Sequence, residues 1–171
     1  HSTSDGGALE VNRGSAIIED STFSGNSSSG KGGAITIRNG ATVTLSGNAF
    51  VSNQANNGGA IHAQDGGTRL SSSEDRFESN SASSDGGALL FDSGTLTVTS
   101  AWFVDNQANG RGGDLDVMST GRATIEGSHF SGGSSSNDGS SIHTDSSNAE
   151  VRLLGNRWDA LAGARSVVHL R

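Results

Sequence analysis

GGAITIRNGATVTLSGNAFVSNQANN, from Gly32 to Asn57, is one unit of a repeat, and the segments on either side of it are variations on it. Laid under one another, the openings read GGALEV from Gly6, GGAITI from Gly32, GGAIHA from Gly58, GGALLF from Gly86, GGDLDV from Gly112 and GSSIHT from Gly139, with steps of 26, 26, 28, 26 and 27 residues. A second mark follows each opening: FSGN at Phe23, FVSN at Phe50, FESN at Phe77, FVDN at Phe103, FSGG at Phe130 and WDAL at Trp158. A fixed period in this range is the signature of a solenoid, and it outranks the reading of any single segment.

Bulk composition alone points elsewhere. Only 31% of the 171 residues are hydrophobic and 26 are Gly, a balance that leans towards disorder. The few apolar residues fall in register, however, and a stack needs fewer of them because each unit buries the same columns against its neighbours. The formal net charge is -7 with no long run of one sign, which argues against nucleic acid or an anionic membrane as partner. No stretch approaches the roughly 18 apolar residues of a membrane span, so direct membrane insertion by this segment is not expected. Without Cys there is neither a disulfide framework nor a thiolate metal site. The chain opens at His1 and has a complete GG opening by residue 6. The expectation is a single segment, 1–171, that is a fragment of a longer surface protein.

Within the Gly32 unit, Ala34 to Ile37, Thr42 to Leu45 and the region around Phe50 alternate with period two, which means strands. No unit supplies the three-and-four spacing of a helix. The fold class predicted is all-β: a right-handed parallel β-helix of about six to seven coils of 26–28 residues, three short strands per coil, starting near 6, 32, 58, 86, 112, 139 and 166. At ~4.8 Å per rung, seven first-strand rungs make a rod roughly 29 Å long.

The columns follow. Leu9, Ile35, Ile61, Leu89, Leu115, Ile142 and Val168 form one inward stack, with Val11, Ile37, Ala63, Phe91, Val117, Thr144 and Leu170 beside it. Phe23, Phe50, Phe77, Phe103, Phe130 and Trp158 give an aromatic stack that would hold the register. Asn26, Asn53, Asn80 and Asn106 fall at one place after the aromatic, where an Asn ladder is expected. The paired glycines read as a sharp corner with positive φ.

The outward column of the first strand, Glu10, Thr36, His62, Leu90, Asp116, His143 and His169, reads as solvent-exposed. Its last three members, Asp116, His143 and His169, are the candidate metal ligands, since ~4.8 Å steps would bring two imidazoles and a carboxylate to one ion. The bland alternative is a mixed polar face, so no metal and no cofactor is the expectation. Thr42, Thr44, Thr95, Thr97 and Thr124 form an outward Thr-rich patch, interrupted by Arg69, Arg122 and Glu150. With Thr36 they are the candidate binding residues. Flat Thr arrays on solenoids suit ice binding, although exposed Thr is also an ordinary strand residue. GNSSSGK at Gly25 to Lys31 has Gly32 where a phosphate loop needs Ser or Thr. The acidic residues scatter over turns, and the turns are too short to build a cleft. An enzyme is therefore not expected.

GGAL at 6–9 and 86–89, GGAI at 32–35 and 58–61, and FxxN at 23, 50, 77 and 103 resemble the repeat of the chlamydial polymorphic outer-membrane proteins. Asp114 in GGDL, Gly133 in FSGG, GSSI and Trp158 depart from that pattern. The resemblance implies part of the displayed region of a secreted or surface adhesin, with the two tetrapeptides as the hallmark of attachment. The function expected is thus a structural and adhesive extracellular solenoid module, outer-membrane displayed if bacterial. It would act as a rigid spacer binding a protein or glycan on another surface, or assembling with neighbouring copies end to end. The alternative is a carbohydrate-processing β-helix or an ice-binding solenoid on the same fold.

Overall fold

The structure, a computed structural model, describes residues 5–144, 147–159 and 168–170. Among these residues there is no helix, and every named strand pairs in parallel. The chain winds as a β-solenoid in which each coil repeats the path of the one before. Coils are numbered here from their openings at residues 6, 32, 58, 86, 112 and 139, with Val168–Leu170 as the first strand of a seventh.

Coil 2 shows how one unit is built. Its strands are Ile35–Arg38, Thr42–Ser46, Ala49–Val51 and the two-residue Gln54–Ala55. The fourth strand adds to the three expected: Gln54–Ala55, Ser81–Ala82, Gln107–Ala108 and Ser134–Ser135 make a sheet of their own. Two residues are too few for alternation to be visible in sequence. In coils 4 and 5 the first two strands fuse into Leu89–Thr99 and Leu115–Glu126. Corner residues adopt left-handed backbone whatever their type: Gly47, Glu74, Ser100 and Gly127 follow the second strand with φ of 66°, 56°, 52° and 58°.

The interior is a set of ladders. Ile35 pairs with Ile61, and Ile61 with Leu89, and all three are fully buried. The rings of Phe23, Phe50, Phe77, Phe103 and Phe130 stack at 4.8 to 5.0 Å with interplanar angles of 4° to 9°, and Trp158 closes the column at 5.4 Å. The rung spacing dictates the ring spacing, and each buried ring contributes about 1.5–3 kcal/mol.

In the five openings that carry a glycine pair, both glycines are sterically required, for different reasons. The first has left-handed backbone, and a Cβ on Gly58 would stand 2.2 Å from the Ile61 carbonyl oxygen of its own coil. The second faces the next coil: a Cβ on Gly59 would stand 2.0 Å from the Gly87 carbonyl oxygen. Backbone bonds run through the same contact, Gly59 N donating to Gly86 O at 3.0 Å. Ala60 follows, small and wholly internal.

Candidate binding faces

The corner decides which polar residues reach water. In coil 2 it folds back over the first strand, and Thr36 Oγ1 donates to the Lys31 carbonyl at 2.8 Å. Thr36, His62, Leu90, Asp116 and His143 are therefore buried, not solvent-exposed as the alternation implied. Thr36 drops out as a surface binding residue. Burial, reinforced by the Lys31 cation, lowers His62 to about 4, so its imidazole is neutral. Asp116 Oδ1 and His143 Nδ1 lie 2.8 Å apart, while burial raises the Asp116 carboxyl and its Oδ2 has no partner.

The third candidate ligand, His169, stacks on His143 with ring centroids 5.4 Å apart and planes 17° from parallel. The column thus forms an acid–imidazole pair with a ring stacked on it. Among the described residues no group of three or more His, Asp or Glu side chains is placed to hold a metal ion.

The second strand has the open face. Thr42, Thr44, Thr95 and Thr97 are exposed and Thr124 is half-buried. Pairing aligns Thr44, Ser71, Thr97 and Thr124 in one column of hydroxyls. The neighbouring column alternates Thr42, Arg69, Thr95, Arg122 and ends on Glu150, with Arg122 bonded to Glu150 at 3.2 Å. The five threonines other than Thr36 do share a surface, ridged by two arginines.

The residues that recur most are inside. Asn53 Nδ2 donates to Phe23 O and to Asn80 Oδ1, both at 2.9 Å, while its own Oδ1 accepts from Asn26 N and Nδ2 at 3.0 and 2.9 Å. The same set recurs from Asn80 to Asn106. Residues 20–38 and 49–64 match the Chlamydia polymorphic membrane protein repeat. Over those residues the chain is similar to that repeat. Neither a curated protein nor a solved structure matches the chain. Each matched stretch of the polymorphic membrane protein repeat runs from the aromatic through the Asn to the GGAI strand. The second strand of coil 2, Thr42–Ser46, lies outside both stretches.

Two departures from the repeat prove to be one device. Gly133 stands where the ladder should continue, and a Cβ there would meet Asp114 Oδ2 at 2.3 Å. The Asp114 carboxyl occupies the place of the missing amide: Asn106 Nδ2 donates to Asp114 Oδ1 at 2.9 Å and to Phe77 O at 3.0 Å. Burial raises Asp114 to about 7, opposed by the Asn106 bond and the nearby Ser141 hydroxyl. Neither Asp114 Oδ2 nor Ser141 Oγ has a well-formed hydrogen bond.

Sequence reasoning also missed a second polar ladder two residues before the aromatic. Asn48 N and Nδ2 donate to Asp75 Oδ1 at 2.8 and 2.9 Å, and Ser128 N to Asn156 Oδ1 at 2.8 Å. A small polar residue at that offset in most coils was the available signal. Missed too was Trp102, 49% exposed on the outer side of the aromatic sheet. A groove of 310 Å³ runs past it, lined by Ser100, Gly127, Ser128, His129, Gly155 and Arg157.

Proposed function

We propose that the chain is an extracellular or cell-surface adhesive segment, a rigid β-solenoid spacer whose outward faces bind a protein or glycan on another surface. The observation that carries this is the division of labour within a coil. The matched residues of the repeat, Phe50, Asn53 and Ile61, are wholly internal, and the unmatched strand presents Thr42 and Thr44 to solvent. A scaffold that fixes its interior and varies its faces suits display and recognition. End-to-end packing of copies is a second route to the same role, because an open β-helix end offers unpaired backbone.

Beads coated with the protein should bind cultured cells or immobilised glycoproteins above beads coated with a denatured control. Binding to none of these surfaces would sink the adhesive reading, and cleavage of an acidic polysaccharide would replace it with an enzymatic one. The aligned hydroxyls of Thr44, Ser71, Thr97 and Thr124 keep ice binding as the second reading. Thermal hysteresis in dilute solution would decide it, and Arg69 and Arg122 are the side chains that stand in the way.

A further inference from the structure

The outer column of the aromatic sheet runs Thr22, Ala49, Arg76, Trp102, His129 and Arg157. We propose that the groove between Trp102, His129 and Arg157 is a saccharide subsite that takes a neutral pyranose ring. This narrows the partner of the adhesive surface to a glycan and rests on that reading for its biological use, though not for its chemistry.

Three observations converge. Among the described residues only Trp102 and Ile17 are exposed large hydrophobic side chains, and an indole, apolar on its face and polar at its N–H, is a side chain enriched at interfaces. The groove beside it is kept open by absent side chains. A Cβ on Gly155 would meet nothing within 4 Å, and one on Gly127 would meet only Ser100 Oγ at 3.7 Å. Its 310 Å³ is at the small end of ligand sites.

The polar groups are held in place before any ligand arrives. Arg157 Nε and Nη2 both lie 3.0 Å from Asp159 Oδ1, and His129 Nε2 lies 2.9 Å from Asp159 Oδ2. His129 in turn packs edge-on to Trp102, with centroids 5.0 Å apart at 78°. Asp159 does not itself line the groove; it fixes the two side chains that do, and Arg157, with five N–H donors, keeps some for a hydroxyl.

The chemistry selects the ligand class. A pyranose presents C–H groups on its face and hydroxyls at its edge. The face matches the electron-rich side of an indole, and the edge matches a fixed guanidinium and the serine hydroxyls beside it. Arg157, the arginine that lines the groove, already has a carboxylate in Asp159 at 3.0 Å, so it does not call for an acidic sugar. Small hydroxyl side chains, Ser100 and Ser128, line the groove beside the ring.

The chain has two tryptophans, and Trp158→Phe leaves Trp102 as the sole indole while keeping a ring on Phe130. Titrating that variant with neutral gluco-, manno-, galacto- and N-acetylglucosamine oligosaccharides should give a saturable shift in its fluorescence with at least one of them. Calorimetry in the unaltered background avoids any dependence on that variant's folding. There, Trp102→Ala should weaken binding at least about tenfold, as loss of a stacking surface does, and Asp159→Asn should weaken it less. Both variants should melt as the parent does. No saturable response to any member of the panel, or full binding by Trp102→Ala, overturns the proposal. So does selection of peptides that need Trp102 and are not displaced by sugar. Beads that bind cells equally well with and without Trp102 overturn the saccharide site and leave the adhesive reading standing. Beads that bind nothing remove the adhesive reading, and the sugar titration still decides the groove.

Discussion

Thr36 and Thr44 sit on adjacent strands of one coil, both at positions where the side chain points away from the core, yet one is wholly buried and the other exposed. The Thr42–Ser46 strand alternates between exposed and buried, whereas Ile35 to Ile37 are buried on both sides. The difference is the glycine corner that lies over the first strand and leaves the second bare. Alternation fixes which side chains enter the core. Whether the others meet water depends on where the chain goes next.

That contrast can be broken most severely at the corner. Gly59→Ala should cost at least about 3 kcal/mol, since the new methyl would collide with backbone of the next coil and not with a side chain that can move. Gly66, by contrast, lies in the exposed turn before the second strand, where a Cβ meets nothing. Gly66→Ala should be neutral or stabilise by about 0.4–1 kcal/mol. Urea melts of the pair would settle it, and equal costs would refute the steric role assigned to the corner.

Next comes the Asn ladder. Asn53→Ala leaves the part-buried Phe23 carbonyl and Asn26 amide without their partner and removes a donor from the buried Asn80 carbonyl oxygen, for a loss of about 2–4 kcal/mol. Stability should fall before any surface binding changes. A variant that melts as the parent does but no longer adheres would show that the recurrent tetrapeptide is recognised directly.

Two buried titrations oppose each other. Asp114 is raised to about 7, so the folded state holds a proton that the unfolded chain releases near 4. Its contribution falls as pH rises from about 4 to 7. His62 is lowered to about 4, so the unfolded chain takes up a proton first and stability falls as pH drops from about 6.5 to 4. Each slope approaches about 1.4 kcal/mol per pH unit and they have opposite signs. Asp114→Asn should therefore unmask acid sensitivity, and His62→Gln should unmask loss of stability towards neutral pH. Denaturation curves across this range would test both; parallel profiles for the two variants would contradict the assignment.

The smallest effect compares the two threonines directly. Thr36→Val forfeits a buried bond to the Lys31 carbonyl and should cost about 1 kcal/mol. Thr44→Val should stay within about 0.5 kcal/mol. A larger cost at Thr44 than at Thr36 would invert the burial of the two faces.

Much of this was legible in the sequence because the physics repeats. The Phe stack, the Asn ladder from Asn26 to Asn106 and the inward column from Leu9 to Val168 each occupy one offset in every coil, so period alone finds them. The burial of Thr36, His62 and Asp116 was not legible, because it depends on the path of a corner and not on the pattern of a strand. Asp114 and Gly133 looked like decay of the motif. They are separated along the chain and meet only when the coil closes, so reading each position against its own column hides their relation. The Trp102 groove needs glycines from two other coils, which one-dimensional reading gives no reason to combine.

The Asn ladder also has a direction. Every side-chain amide gives a hydrogen to the side-chain carbonyl of the following coil, from Asn26 through Asn53 and Asn80 to Asn106, and in this chain the series finishes on a group that has no amide. Asp114 is that group: its Oδ1 takes the last hydrogen from Asn106, and it has no amide to pass on. It works as a terminator. Extra coils bearing Asn could be spliced in at any rung before it and read into the sequence of donors, whereas one placed directly after it would find no amide to receive from. For anyone lengthening this rod, coil 5 is where the grammar of the repeat stops.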